Sequence, residues 1–138
     1  MITYRTSLDG VDAALLEGFF VGWPAPPSAQ RLLHVLQGSS RVVIAWDDER
    51  VVGFINALSD GVLSAFIPLL EVRPEYQGQG IGRRLAETML GELSALYSID
   101  LFCDEGLTPF YTALGGHPLA AFAWRNRAAA GSDHVISG

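Results

Sequence analysis

Gln77-Gly78-Gln79-Gly80-Ile81-Gly82-Arg83-Arg84 is the stretch on which the reading of this chain turns. It follows Leu70-Glu71-Val72-Arg73-Pro74-Glu75-Tyr76, which reads as the end of a strand, and it opens a run with Leu85, Met89, Leu93 and Leu96 at helical spacing. A helix start leaves several backbone amides unpaired and carries the positive end of the helix dipole. Glycines without Cβ atoms let an anion approach those amides, and Arg83 and Arg84 add positive charge. Together these features suit a pyrophosphate. Two other readings stand beside it. A turn serving only backbone geometry leaves three alternate glycines next to two arginines unexplained. A dinucleotide-binding turn wants G-x-G-x-x-G in a βαβ unit with an acidic residue about 20 positions on, whereas here the spacing is G-x-G-x-G and the preceding strand reads as antiparallel.

Working outward, Val42–Trp46 and Val51–Ala57 flank the turn Asp47-Asp48-Glu49-Arg50 and read as a hairpin. After Ser59-Asp60-Gly61 a third strand is predicted over Val62–Val72, completing an antiparallel meander. Nearer the start, Ile2-Thr3-Tyr4-Arg5-Thr6 alternates as a half-buried strand does. Ser7 or Asp9 then caps a predicted helix that carries Val11, Leu15, Leu16, Phe19 and Phe20 on one face and ends near Gly22. Trp23-Pro24-Ala25-Pro26-Pro27 cannot continue it, because prolines lack amide donors and bias their predecessors away from helix; Ser28 caps a second helix with Leu32, Leu33 and Leu36 inward. Downstream, Arg83–Leu96 reads as a helix, Ile99–Cys103 as a short strand, Thr108–Leu114 as a short helix stopped by Gly115-Gly116, and Pro118–Trp124 as a last strand. This order is mixed α/β with a mostly antiparallel sheet rather than strict βαβ alternation. One domain is expected over residues 1–126, with residues 127–138 as a mobile tail.

Composition removes several chemistries. All nine basic residues are arginine, so neither Schiff-base lysine chemistry nor a P-loop lysine is available. Cys103 is the only cysteine and His34, His117 and His134 are scattered, so no metal is expected. A net charge of −6 argues against nucleic acid as a partner. The longest mostly apolar run, Val62–Leu70, is far short of the roughly 20 residues of a bilayer span, and Met1–Ser7 is too polar and short for a signal peptide. No membrane partner is expected, and the default location is the cytoplasm.

Gln77-Gly78-Gln79-Gly80-Ile81-Gly82 resembles the Gln/Arg-x-x-Gly-x-Gly/Ala signature of the GNAT superfamily of N-acetyltransferases, with Gln77, Gly80 and Gly82 at its defined positions. Leu70–Tyr76 looks like the end of that family's fourth strand, and Pro109-Phe110-Tyr111-Thr112-Ala113-Leu114-Gly115 is similar to its second landmark. The resemblance spans residues 2 to about 125. It implies an acyl-CoA N-acyltransferase fold with splayed central strands and a single acetyltransferase domain. It implies acetyl-CoA as co-substrate without a metal, and transfer of the acetyl group to a primary amine on a small molecule or peptide. A catalytically weak module that senses coenzyme A or acetyl-CoA is the alternative, because the loop survives loss of catalysis.

The same resemblance implies site residues. Gln77, Gly78, Gln79, Gly80, Ile81, Gly82 and Arg83 surround the pyrophosphate, Leu70, Glu71 and Val72 offer free backbone groups to the pantetheine arm, and Phe110 belongs to the cofactor site. Tyr111 matches the position whose hydroxyl reaches the cofactor sulfur and is the general acid by that resemblance, and the amide of Leu70 is the oxyanion donor by analogy. A phenol of pKa about 10 is a weaker acid than a thiol near 8.5, so Tyr111 is better suited to stabilise the thiolate than to give its proton away freely. Tyr111 as mere packing between helix and sheet remains a second reading. No general base emerges: Glu71 reads as a surface carboxylate, and Asp47, Asp48 and Asp60 read as turn residues. Phe20 and Trp23 fall where the family often borders its acceptor pocket, His34 reads as a partly exposed helix residue, and Cys103 as a buried strand residue. Two positions depart from the family. Asp104 stands where asparagine is common, and Gly116-His117 follows Leu-Gly where phenylalanine is common. A homodimer through the meander or the last strand is a further expectation.

Overall fold

Runs of β-branched and aromatic residues form the centre of the molecule, because such side chains pack well on a pleated sheet. In the computed structural model, which describes residues 1–136, β1 (Ile2–Arg5), β2 (Arg41–Asp47) and β3 (Arg50–Ser59) pair in antiparallel succession. The β2–β3 turn is the two residues Asp48-Glu49, with Asp48 at φ 52°. Both faces of β2 and β3 are buried. On one lie Val43, Ala45, Val52 and Ile55, packed against helix α2 (Ile81–Glu92) through Leu85 and Met89; on the other lie Val42, Ile44, Trp46 and Phe54, packed against helix α1 (Ala29–Gln37) through Leu32 and Leu36. Ser28 caps α1 as expected, its hydroxyl accepting from the Arg31 amide at 3.1 Å.

The third predicted strand is two strands. β4 (Ser64–Ile67) and β5 (Leu70–Val72) both run antiparallel to β3, but the register shifts by one residue between Phe66 and Leu70, so the chain bulges around Pro68. Proline has no amide to give the ladder, which explains the break. Asn56, a lone buried polar residue in β3, stitches the bulge: its amide donates to the Leu69 carbonyl at 3.2 Å and its Oδ1 accepts from the Leu69 amide at 3.1 Å. Residues 60–63 stay out of β4 because Asp60 accepts from the amides of Val62, Leu63 and Ser64.

Beyond the bulge the sheet divides. β6 (Ser98–Leu101) pairs in parallel with β4 through the crossover made by α2, whereas β5 pairs only with β3. The central strands are therefore splayed, and the side of β5 turned away from β3 is open. A short helix α3 (Thr108–Ala113) follows β6. Among the described residues no helix is long and apolar enough to cross a membrane.

Two predicted elements are absent. Between Ser7 and Gly22 there is one 3-10 turn, Ala14–Leu16, instead of a helix. Its apolar residues are still inward: Leu16, Phe19 and Phe20 are buried in the α1 core, but Gly18, Phe20 and Gly22 take positive φ. Pro118–Trp124 forms no strand. Cys103, expected in a buried strand, is exposed in the loop after β6, because pairing ends at Leu101. Within the segment expected as a tail, Arg127–Gly131 forms a 3-10 turn and Arg31 Nη1 donates to the His134 carbonyl at 3.2 Å; residues 137 and 138 of that segment lie outside the described residues.

Candidate active site

The glycine-rich loop is held from behind and open in front. Pro74–Tyr76 makes a 3-10 turn, and the Gln77 side chain donates to the Val72 carbonyl at 3.0 Å, tying the loop to the end of β5. Gly78 and Gly80 sit at φ 80° and 85°, the left-handed region glycine enters without steric cost, and the space a Cβ would point into is empty at both. Gly80 caps α2 without any side-chain acceptor. Among the described residues the first amide with a partner is that of Arg84, donating to the Gly80 carbonyl at 3.0 Å; those from Gly78 to Arg83 have none. Six such donors, in and just before the first turn of α2, can hold an anion. The Arg83 guanidinium lies 3.6 Å from Glu87, one turn along α2, and that of Arg84 stands 5.5 Å from the Tyr4 ring centroid.

Strand β5 leads from these donors to a pocket. The Arg73 amide donates to Val52 and the Asn56 amide to Leu69; by antiparallel alternation the residue between that exchanges bonds with β3 is Glu71, opposite Phe54. Leu70 and Val72 therefore aim their main-chain groups at the open side, and the Val72 carbonyl is already taken by Gln77. The structure thus divides the expected trio: Leu70 and Val72 have open-side backbone groups, and the backbone of Glu71 does not.

The pocket, about 440 Å³, lies between β5 and the loop after β6. It brings together Phe20 and Trp23, Leu70 and Glu71, and Tyr111 from three distant places in the sequence. Gln77–Arg83, Val72 and Phe110 are not in its wall; Phe110 packs toward the α2 core and meets the Tyr111 ring edge-on at 4.9 Å. Burial, and secondarily the Cys103 thiol, push the Tyr111 phenol above its ordinary pKa. Among the described residues its hydroxyl has no hydrogen-bond partner. Asp104, Cys103 and Arg125 also line the pocket.

Glu71 is not a free surface carboxylate. Its two oxygens accept from the Phe20 amide at 2.9 and 2.8 Å, and Oε1 also accepts from the Val21 amide at 3.2 Å. Two residues on, the buried Arg73 donates to the carbonyls of Val51, Glu17 and Leu15 at 2.7, 2.8 and 3.0 Å, with its guanidinium 4.3 Å from the Phe19 ring centroid. Those backbone groups are the ones a helix would have paired internally, which is why residues 15–21 are not helical. Phe20 is held at φ 65° in this clasp, and its ring meets Trp23 edge-on at 4.8 Å, placing both aromatics in the pocket wall. Sequence reasoning missed Arg73 and Asn56. The available signal was a charge beside apolar strand residues and a single asparagine inside Val51–Ala57.

Residues 8–115 match the acetyltransferase (GNAT) family. A crystal structure of an acetyltransferase candidate from Deinococcus radiodurans R1 superposes with a TM-score of 0.92 at 41% identity, covering 97% of this chain and 94% of that one. An uncharacterised N-acetyltransferase of Prochlorococcus marinus is 32% identical over 69% of this chain and 56% of its own length. Serotonin N-acetyltransferase 2, chloroplastic, of Oryza sativa is 30% identical over 80% of this chain and 59% of its own. The chain spans about half the length of these curated relatives. The splayed sheet, the capless glycine start of α2 and a match that runs through both establish that the chain belongs to the GNAT family of acetyltransferases.

Proposed function

We propose that this protein transfers an acetyl group from acetyl-CoA to a primary amine. The observation that carries the proposal is the run of six partnerless amides, Gly78–Arg83, at the end of a strand whose open side leads to Tyr111. Those amides fit a pyrophosphate, and the Leu70 and Val72 main chain fits the amides of a pantetheine arm lying as an added strand. Acetyl-CoA supplies a thioester whose carbonyl carbon accepts the amine. As the C–N bond forms the C–S bond breaks, and the amine's proton goes to the thiolate or to water.

The chain's residues act on this step by placing charge. The Leu70 amide is the donor for the developing oxyanion. Tyr111, a neutral phenol whose proton burial holds still more firmly, donates a hydrogen bond to the departing sulfur and keeps its own proton. Both oxygens of Glu71 are occupied by Phe20 and Val21, so its part is to hold the acceptor wall rather than to take a proton. Asp104 and Glu71 bring two negative charges against the one positive charge of Arg125, and Phe20 and Trp23 bring aromatic surface, to the same pocket. That combination suits a cationic amine on an aromatic or extended carbon frame, and one relative carries serotonin in its name.

The test is release of free thiol from acetyl-CoA over a panel of arylalkylamines, polyamines and peptides, alongside thermal shifts with acetyl-CoA against acetate. Stabilisation by acetyl-CoA with turnover on at least one amine is expected. Stabilisation with silence across the panel favours the sensing module instead, and no stabilisation overturns both. Tyr111→Phe is expected to lower turnover at least about tenfold, roughly 1.4 kcal/mol of barrier, with acetyl-CoA affinity near normal. Unchanged turnover removes Tyr111 from the chemistry.

A further inference from the structure

The tip of the β2–β3 hairpin meets the turn that leads into the glycine-rich loop. Trp46 and Val51 belong to the α1 core, so strand alternation points their neighbours Asp47 and Arg50, the last cross-strand pair of the hairpin, to the α2 side. There they meet the 3-10 turn Pro74–Tyr76. The Tyr76 hydroxyl donates to Asp47 Oδ2 at 2.6 Å. Arg50 Nη2 donates to Glu75 Oε1 at 2.6 Å, and its guanidinium stands 5.5 Å from the Tyr76 ring centroid. The Met1 amine lies 3.5 Å from the other Asp47 oxygen. Because the Tyr76 ring also packs on the α2 core, the cluster joins hairpin, turn and helix.

What these bonds restrain is the loop. Between Tyr76 and Ile81, whose side chain is fixed in the α2 core, run the four residues Gln77-Gly78-Gln79-Gly80, and Gly78 and Gly80 hold positive φ. Glycine loses more backbone freedom on ordering than any other residue, so such a stretch keeps one shape only as well as its two ends are held. The downstream end is held by burial. The upstream end is held by the Gln77 bond to Val72 and by the two bonds to the hairpin. That hairpin is a short lever: two residues close it, and a register shift at Ala45/Trp46 re-aims its tip. The two bonds are unequal. Tyr76 donates to a carboxylate in a part-buried position, whereas the Arg50 and Glu75 side chains are 50% and 52% exposed and their pairing is correspondingly weak. The Tyr76 hydroxyl also holds the Asp47 carboxyl below its ordinary pKa, so the acceptor stays charged at neutral pH.

We propose that the hairpin tip is the mount of the anion-binding loop, with Asp47 and Arg50 as positioning residues that hold Tyr76 and Glu75 and through them set the shape of residues 77–80. None of the four needs to touch a ligand. Their effect is on how much ordering the loop still has to undergo when an anion arrives.

Amide hydrogen exchange on the ligand-free protein reads the mount without any cofactor. In Tyr76→Phe and in Arg50→Glu the amides of Gln77 and Arg84, bonded to Pro74 and Gly80, are expected to exchange at least about threefold faster, while those of Leu32 and Asn56 keep their rates. Calorimetry with acetyl-CoA reads the consequence, and this arm rests on the acetyl-transfer reading. Tyr76→Phe is expected to weaken binding about fivefold and Arg50→Glu about threefold, with acceptor KM and kcat at saturating acetyl-CoA within about twofold of wild type. The swap of Arg50→Glu with Glu75→Arg is expected to bring affinity and exchange back to within about twofold, which a general loss of stability would not allow. Unchanged exchange in both variants overturns the proposal, as does faster exchange shared equally by Leu32 and Asn56, or a swap no better than Arg50→Glu alone. Unaltered affinity in both variants of a protein that binds acetyl-CoA overturns it as well. A wild type that does not bind acetyl-CoA overturns the acetyl-transfer reading instead, and the exchange rates alone then decide the mount.

Discussion

The loop at residues 77–83 follows β5 and the segment at residues 15–23 packs against it through Glu71 and Arg73, and the two are built by opposite means. In the loop the main chain is left free: among the described residues six amides have no hydrogen-bond partner and no side chain caps the helix. In the segment the main chain is claimed by side chains from far away in sequence, with Glu71 taking amides and Arg73 taking carbonyls. A site made of unclaimed backbone depends on which residues lack a Cβ. A wall made of claimed backbone depends on which charges stand across from it.

Gly80→Val tests the first half most severely. A β-branched residue at φ 85° forces the loop to rearrange, and losing two charge-assisted amide contacts, about 3 kcal/mol, is expected to weaken acetyl-CoA binding roughly a hundredfold by calorimetry. Acceptor-side geometry, followed by Trp23 fluorescence, is expected to stay as it is. Glu71→Ala attacks the other half. It frees the Phe20 and Val21 amides, and the expected result is an acceptor KM raised about tenfold with acetyl-CoA affinity within about twofold. Equal losses for both ligands would dissolve the contrast between the two regions.

The smallest expected effect is one of pH. Burial raises the folded-state pKa of Tyr111 above its unfolded value, so its hydrogen-bonding proton is fully present below the ordinary phenol range and is lost only as pH climbs through the raised value. The alkaline limb of a kcat profile is therefore expected to show no Tyr111 loss up to pH about 10, and Tyr111→Phe to leave the shape below that unchanged. A limb centred near pH 8 that vanishes in Tyr111→Phe would contradict the burial.

The same contrast explains what was legible beforehand. The loop was readable because Gly78 and Gly80 act through local conformation, and a local pattern is what a sequence displays. The α2 stripe of Leu85, Met89 and Leu93 and the β2–β3 hairpin were readable for the same reason. Residues 8–22 read as a helix because Val11, Leu15, Leu16 and Phe19 do fall at helical spacing, and burial followed that spacing even though conformation did not. What overrode it was Arg73, some 56 and 58 residues from the carbonyls it holds. Pro118–Trp124 read as a strand from composition alone, and a strand needs a neighbour that no window of sequence contains.

The bulge at Pro68 has an arithmetic consequence. Before it, Ala65 and Ile67 face the α2 core; after it, Leu70 and Val72 do, so even and odd positions have traded places. That single inserted residue is what sends Leu69, Glu71 and Arg73 to the opposite side, toward residues 15–21. Delete one residue there and the strand suffers a frameshift in space: the downstream letters are unchanged, yet a carboxylate and a guanidinium are delivered to α2 and two apolar side chains to residues 15–21. In this stretch chain length specifies which face each side chain takes.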